Sequence, residues 1–249
     1  MIVKTVNSYD IHIHGQLLRV VEKSELRAGP EGFDVKKLLL NEPRGSKYMN
    51  LLIFHEDEVS GSLTVTLDSI TGIENEDVLL KSFVSSLVDR GRIEKKESYS
   101  LDFNGRTKKY GQNELIETPL YEVGLTDGLY EVNHKKIKLV ETGLHMDIQY
   151  ITSIKKEIEK LNDSTYDYLI LNNEGKHATA NKNNDILPYP IIEVISLLNR
   201  EARPEGITTL NWDDIKIQNG KFKHTYQLIS NSQFYIDHTD IYTEGFVIK

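Results

Sequence analysis

No cysteine occurs among the 249 residues. That absence excludes disulfides, iron–sulfur clusters, thiolate zinc sites and any cysteine nucleophile or base. An excess of basic charge is missing too: 30 Lys and Arg face 38 Asp and Glu, a formal net charge of −8 spread along the chain. Without a basic stripe, nucleic acid and anionic membrane surfaces are poor partners. No apolar run approaches the ~20 residues of a membrane span. The opening MIVKTVNSYD lacks the charged head and apolar core of a signal peptide, so a cytoplasmic location is expected. Nucleotide-binding signatures are absent as well. There is no G-x-G-x-x-G, and Gly175-Lys176 stands in a polar stretch without phosphate-loop spacing.

What is present is ordinary globular composition, 39% hydrophobic and 27% charged, in a chain long enough to bury a core without staples. Short runs rich in Val, Ile, Thr and Tyr predict strands over 2–6, 11–21, 48–55, 62–67, 97–103, 114–122, 128–132, 136–140, 166–171 and 221–229. Four segments predict helices. Asp34 caps 35–41, and Pro43 stops that helix. Over 78–89, Leu79, Leu80, Phe83, Val84, Leu87 and Val88 form one broad apolar face, and Gly91 suits the left-handed position past its end. Ser153 caps a short helix carrying Ile154, Ile158 and Leu161, and Pro190 opens a helix through 192–201. The order of strands, buried helix, strands, buried helix and strands predicts an α+β chain. Two similar lobes are expected, each a curved, mostly antiparallel sheet around a central helix. The turn signal Thr126-Asp127-Gly128 places the junction nearby, giving lobes over 1–124 and 125–249, with the last strand free to pair back onto the first lobe.

Several short patterns read as structure rather than chemistry. His12 and His14, two apart in a predicted strand, would share a face, but no third ligand accompanies them, so no metal site is expected. His238-x-Asp240 reads the same way, and the sequon Asn162-Asp163-Ser164 is a chance match without a secretion signal.

A longer pattern is more specific. Asp10-x-His12-x-x-Gly15-x-x-x-Arg19-Val20-Val21 precedes a predicted helix and then Glu42-Pro43-Arg44-Gly45, with Met49 four residues on. Gly143-x-x-x-Asp147-Ile148-x-Tyr150 follows, and Asp185-Ile186-Leu187-Pro188-Tyr189 stands before the second central helix. Taken together, over nearly the whole chain, these motifs resemble the proline racemase and hydroxyproline epimerase family. The resemblance implies the two-lobed fold of diaminopimelate epimerase, a site between lobes, no cofactor, and a small amino-acid or imino-acid ligand. In that family two cysteines, one at the start of each central helix, remove and deliver the α-proton.

Carried onto this chain, the first cysteine position falls within Asn75-Glu76-Asp77-Val78-Leu79 and the second on Tyr189. Neither thiol exists. Glu76 and Asp77 bring negative charge to where a carboxylate would dock, and the same residues suit the first turn of any helix. Glu42, Pro43 and Arg44 read as a structural turn. Asp185 matches the family residue that contacts the substrate amine, and it equally suits a turn. His12 matches a family position on the first strand, where packing or hydrogen bonding accounts for it.

Three functions stay open. The first is a divergent family member without two-cysteine racemisation, its cleft kept for a small amino-acid-like ligand or a regulatory role, with Asp185, Asp77 and His12 as ligand contacts. The second is an active cofactor-independent isomerase or lyase with Glu76 as base and Tyr189 as acid. The third is a scaffold or interaction subunit. The first is favoured, and a monomer or a homodimer fits it.

Overall fold

The computed structural model describes residues 4–26, 34–41, 43–57, 59–161, 163–201, 207–209 and 212–236. Glu42, Asn162, His238 and Asp240 lie outside the described residues. The chain divides into two compact units, one spanning Met1–Ile116 and Thr225–Lys249, the other Glu117–His224. Positions 124 and 125, where the sequence placed its junction, fall in a strand of the second unit.

In the first unit β1 (Lys4–Ile13), β2 (Gln16–Glu22), α1 (Val35–Leu40) and β3 (Met49–Glu56) follow in order. Then come β4 (Leu63–Ser69), α2 (Glu76–Asp89), β5 (Ser98–Phe103) and β6 (Arg106–Gly111). The second unit continues with β7 (Glu117–Pro119), β8 (Val123–Thr126), β9 (Leu129–Val132), β10 (Lys135–Glu141) and α3 (Ile151–Leu161). Next are β11 (Tyr168–Asn173), β12 (Lys176–Asn181), α4 (Ile192–Arg200), β13 (Ile207–Thr209) and β14 (Trp212–Ile215). After β15 (Ile217–Gln218) and β16 (Lys221–Lys223), β17 (Tyr226–Ile236) returns to the first unit.

Each unit holds a seven-stranded sheet, ordered β17-β1-β2-β3-β4-β5-β6 in the first and β8-β9-β10-β11-β12-β13-β14 in the second. Read in those orders, the neighbour pairings run antiparallel, antiparallel, parallel, antiparallel, parallel, antiparallel in both sheets. Parallel neighbours need a crossover, and each of the four parallel pairs has a helix between its strands: α1, α2, α3 and α4. The two units therefore share one topology, although their sequences show little repeat. The fold is α+β with two similar lobes, as the strand order implied. A small sheet, β15-β16-β7, completes the second unit.

The central helices are buried nearly all round. Along α2, Val78, Leu79, Leu80, Phe83, Val84 and Leu87 are buried, and so are Lys81, Ser82 and Ser86. Strand β3 is buried on both faces, and its alternation explains why. Met49, Leu51 and Ile53 pack with Leu38, Leu39 and Leu40 of α1, whereas the Phe54 ring meets Phe83 of α2 at 5.2 Å between centroids. In the second unit, Ile154 and Ile158 of α3 pack with Leu169 and Leu171 of β11. Among the described residues, no helix is long and apolar enough to cross a membrane.

The turns account for most differences from the expected elements. The strand expected over 11–21 folds back at His14-Gly15, whose φ values of 45° and 79° make a two-residue hairpin with Ile13 opposite Gln16. His14 thus leaves the strand, and the His12/His14 pair does not share a strand face. No group of three or more potential metal ligands occurs among the described residues. A second hairpin of this kind, at Asn104-Gly105, creates β6, which the strand pattern missed. Residues 112–116 form a 3-10 turn, so the strand expected over 114–122 shrinks to β7. The strand expected over 221–229 breaks between β16 and β17.

Helix ends follow their caps. The Asp34 carboxylate accepts from the Lys37 amide at 3.2 Å, as its position before α1 implied. Ser153 lies inside α3 rather than at its cap. Pro190 lies two residues before α4, because Ile191 keeps an extended backbone (φ −109°, ψ 135°) at the cap position.

The amino-terminal motif is a structural clasp. Arg19 donates from Nε and Nη2 to the two carboxylate oxygens of Asp10, 2.8 Å each, across neighbouring strands. Its Nη1 reaches the carbonyls of Leu39 and Arg44, 2.6 Å each, tying down the end of α1 and the following turn. Gly45 in that turn is dictated by space, since a Cβ there would lie 2.4 Å from the Leu40 carbonyl oxygen.

Candidate functional site

The helix starts are where the sequence placed its chemistry. Asn75, in the left-handed region at φ 54°, takes the cap position of α2, and the first helical bond runs from Leu79 N–H to its carbonyl. The helix thus begins two residues earlier than expected, and Glu76 and Asp77 become its first two residues. Carboxylates at this positive end of the dipole are favourable. The β1–β2 hairpin leans on the same spot. Fully buried Gln16 donates to the Glu74 carbonyl at 2.7 Å and accepts from Asn75 Nδ2 at 3.0 Å.

Both carboxylates are already engaged. Glu76 is ion-paired and hydrogen-bonded with Lys108 of β6 at 2.5 Å. Asp77 is ion-paired with Lys81 one helical turn on at 2.8 Å, and it accepts a hydrogen bond from the Tyr110 hydroxyl at 3.0 Å. The Lys108–Glu76 pair is partly exposed, so its direct contribution is modest, ~0–1 kcal/mol. Lys81 differs, because its side chain is only 5% exposed. Asp77 sets its carboxylate 2.8 Å from that buried ammonium, and removing the anion is expected to destabilise the fold. Two anions and two cations thus pair off at this helix start. A docking carboxylate would meet filled partners, and proton abstraction by Glu76 would first require release of Lys108.

Tyr110 belongs to the same cluster. Burial, and then the adjacent Asp77 carboxylate, push its hydroxyl well above the ordinary phenol range. A proton held more tightly in the folded state than in the unfolded one contributes stability in full below the unfolded phenol pKa of ~10, and that contribution is lost as pH rises past it. Tyr9 and Tyr226 are raised as well, chiefly by burial. Urea unfolding at steps from about pH 9 to about pH 11.5 should therefore show a falling midpoint, and Tyr110→Phe should make the fall shallower. An equal slope in the variant would show that the Tyr110 proton is not part of the fold's stability.

The remaining expected site residues are placed as follows. His12, near the end of β1, accepts from Gly15 N–H at Nδ1 (3.3 Å) and shares a hydrogen bond with Gln227 through Nε2 (3.1 Å). Asp185 lies in the turn after β12, its N–H donating to the Asn181 side-chain oxygen at 3.0 Å, with Asn184 before it at φ 65°. Tyr189 is buried just ahead of α4, at 5% exposure. Glu76, Asp77 and His12 belong to the first unit, and Asp185 and Tyr189 to the second. Sequence reasoning missed Gln16, Lys81, Lys108 and Tyr110. Asn104-Gly105 was the available signal for the last two, since that hairpin returns β6 to α2.

No protein-family profile matches the chain, and no curated protein sequence matches it. Solved structures do. A probable proline racemase from Agrobacterium radiobacter K84, with bound carbonate, superposes with a TM-score of 0.60 at 13% identity, over 98% of this chain and 96% of that one. A hydroxyproline epimerase from Agrobacterium vitis, with bound trans-4-hydroxy-L-proline, gives a TM-score of 0.55 at 12% identity, over 98% and 96%. A phenazine biosynthesis protein of the PhzF family from Enterococcus faecalis gives 0.58 at 9%, over 93% of this chain and 100% of that one. The duplicated sheet-and-helix topology of this chain is the fold shared by proline racemases, hydroxyproline epimerases and PhzF-type proteins.

Proposed function

We propose that this chain is a divergent relative of the proline racemases that has lost two-cysteine racemisation and serves to bind, or to regulate through binding, a small amino-acid-like ligand. One observation carries the reading. The start of α2, where the resemblance puts the first thiol, holds Glu76 and Asp77 instead, each with a cation of its own chain. A Cα–H of a free amino acid is very weakly acidic, and a carboxylate committed to Lys108 is a poor base for it. At α4, Pro190 removes a backbone N–H from the approach to the helix, and Tyr189 is buried. In this reading Asp185 remains to meet an ammonium group. The chain needs no cofactor for this role.

Calorimetry against free amino acids, imino acids and small carboxylates is the test. Saturable binding of one of them, without chemical change in the recovered ligand, is the expected result. Turnover of any member would replace this reading with the isomerase one, with Glu76 and Tyr189 as acid and base. Silence across the whole set would leave a scaffold.

A further inference from the structure

A cleft lies at the far end of α2 from Glu76. The helix has 14 residues, so at ~1.5 Å per residue the cleft is roughly 20 Å from Glu76. The cleft encloses about 310 Å³ and is lined by β1, β2, β3, β17, the last turn of α2, Arg90 and Arg92 just past that helix, and Glu25. Its floor is apolar: Val20, Phe54 and Leu87 are buried there beside the Tyr9 ring.

Four charged side chains line it: Glu22, Glu25, Arg90 and Arg92. Arg92 Nη2 is 2.7 Å from Glu22 Oε2. Glu25 accepts from both the backbone N–H and the side-chain amide of Asn7, at 3.2 and 3.0 Å. Arg90 has no carboxylate within ion-pair distance among the described residues. Its guanidinium is held over the Tyr9 ring, 4.2 Å from the centroid, and Nη1 donates to Asn231 at 3.2 Å. Stacking and one hydrogen bond orient the group while its other N–H donors stay available.

We propose that this cleft binds a small organic monocarboxylate, its carboxylate on Arg90 and its apolar body against Val20, Phe54 and Leu87. A planar guanidinium favours a carboxylate by two parallel hydrogen bonds, and the floor gives no advantage to a compact anion such as phosphate. The site is independent of the helix starts and of the function proposed for them.

Phenylacetate is the probe, with phenylacetamide as its neutral counterpart, each followed by saturation-transfer NMR and calorimetry on the full chain. The wild type should bind phenylacetate saturably and phenylacetamide about tenfold more weakly, the size of one lost charge-assisted interaction. Arg90→Gln should weaken phenylacetate about tenfold, and Asn231→Asp, which sets a carboxylate against Arg90 with little change of shape, should do the same. If Arg90→Gln fails to fold, Asn231→Asp decides. No saturable phenylacetate binding, or equal binding of probe and amide, or unchanged affinity in the folded variants, would overturn the proposal.

Discussion

Replacing Arg19 with methionine is expected to lower stability by ~3–5 kcal/mol, because it leaves the Asp10 carboxylate buried without its cation. The side chains are only 4% and 10% exposed, so water does little to replace the lost partner. The Leu39 and Arg44 carbonyls lose their donor in the same step, and with it the tie between α1, the following turn and the first two strands. In a chain of this size the melting temperature should fall by on the order of 10 °C. The double variant Asp10→Leu with Arg19→Met is expected to be more stable than Arg19→Met alone, since no charge is then stranded. A double variant no better than the single one would show that the carbonyl contacts, rather than the ion pair, carry the effect. Thermal unfolding of the three proteins makes the comparison.

Truncating Phe83 to alanine should cost about as much, ~3–5 kcal/mol, through a cavity rather than a charge. Its side chain is fully buried in the middle of α2, with the Phe54 ring against it. One turn away, Ser86 links the helix to strand β1 through the Tyr9 hydroxyl at 2.8 Å. The sheet is thus tied to α2 one turn from the void, which limits how far it can close in to fill it. Phe83→Leu should lose far less, because it retains most of the volume. Equal losses for alanine and leucine would argue that the ring pair with Phe54, and not volume, is what the position requires.

The parts of this fold that were legible in the sequence were those set by local spacing. The apolar face over 78–89, Gly91 beyond it and Asp34 ahead of α1 each act within a few residues, and the helices stand where those signals put them. The long apolar run at β3 was legible as a strand, but not the reason for it, which is burial against α1 on one face and α2 on the other. Turns were read less well. His14-Gly15 and Asn104-Gly105 each reverse the chain in two residues, and overlooking them merged β1 with β2 and lost β6.

The helix-start cluster could not be read at all from local pattern. Glu76 and Lys108 stand 32 residues apart, as the sheet order alone brings them together. The amino-terminal motif that resembles that of the racemases was visible as letters, whereas the work of Asp10 and Arg19 emerged only when β1 and β2 were seen to be neighbours. The residues lining the cleft beyond α2 come from segments spread between Asn7 and Gln233, so no single stretch of sequence announces it.

The absence of α-proton transfer by this chain is the central claim, and the Cα–H signals of proline and hydroxyproline test it most directly. L-proline, D-proline and trans-4-hydroxy-L-proline would each be incubated with the protein in heavy water and followed by proton NMR beside a protein-free control. The Cα–H intensity should stay equal to the control for all three, with no signal from the opposite configuration. Loss of that intensity in the presence of the protein, suppressed by Glu76→Gln, would contradict the claim and make this chain a racemase that works with carboxylate and phenol in place of cysteine.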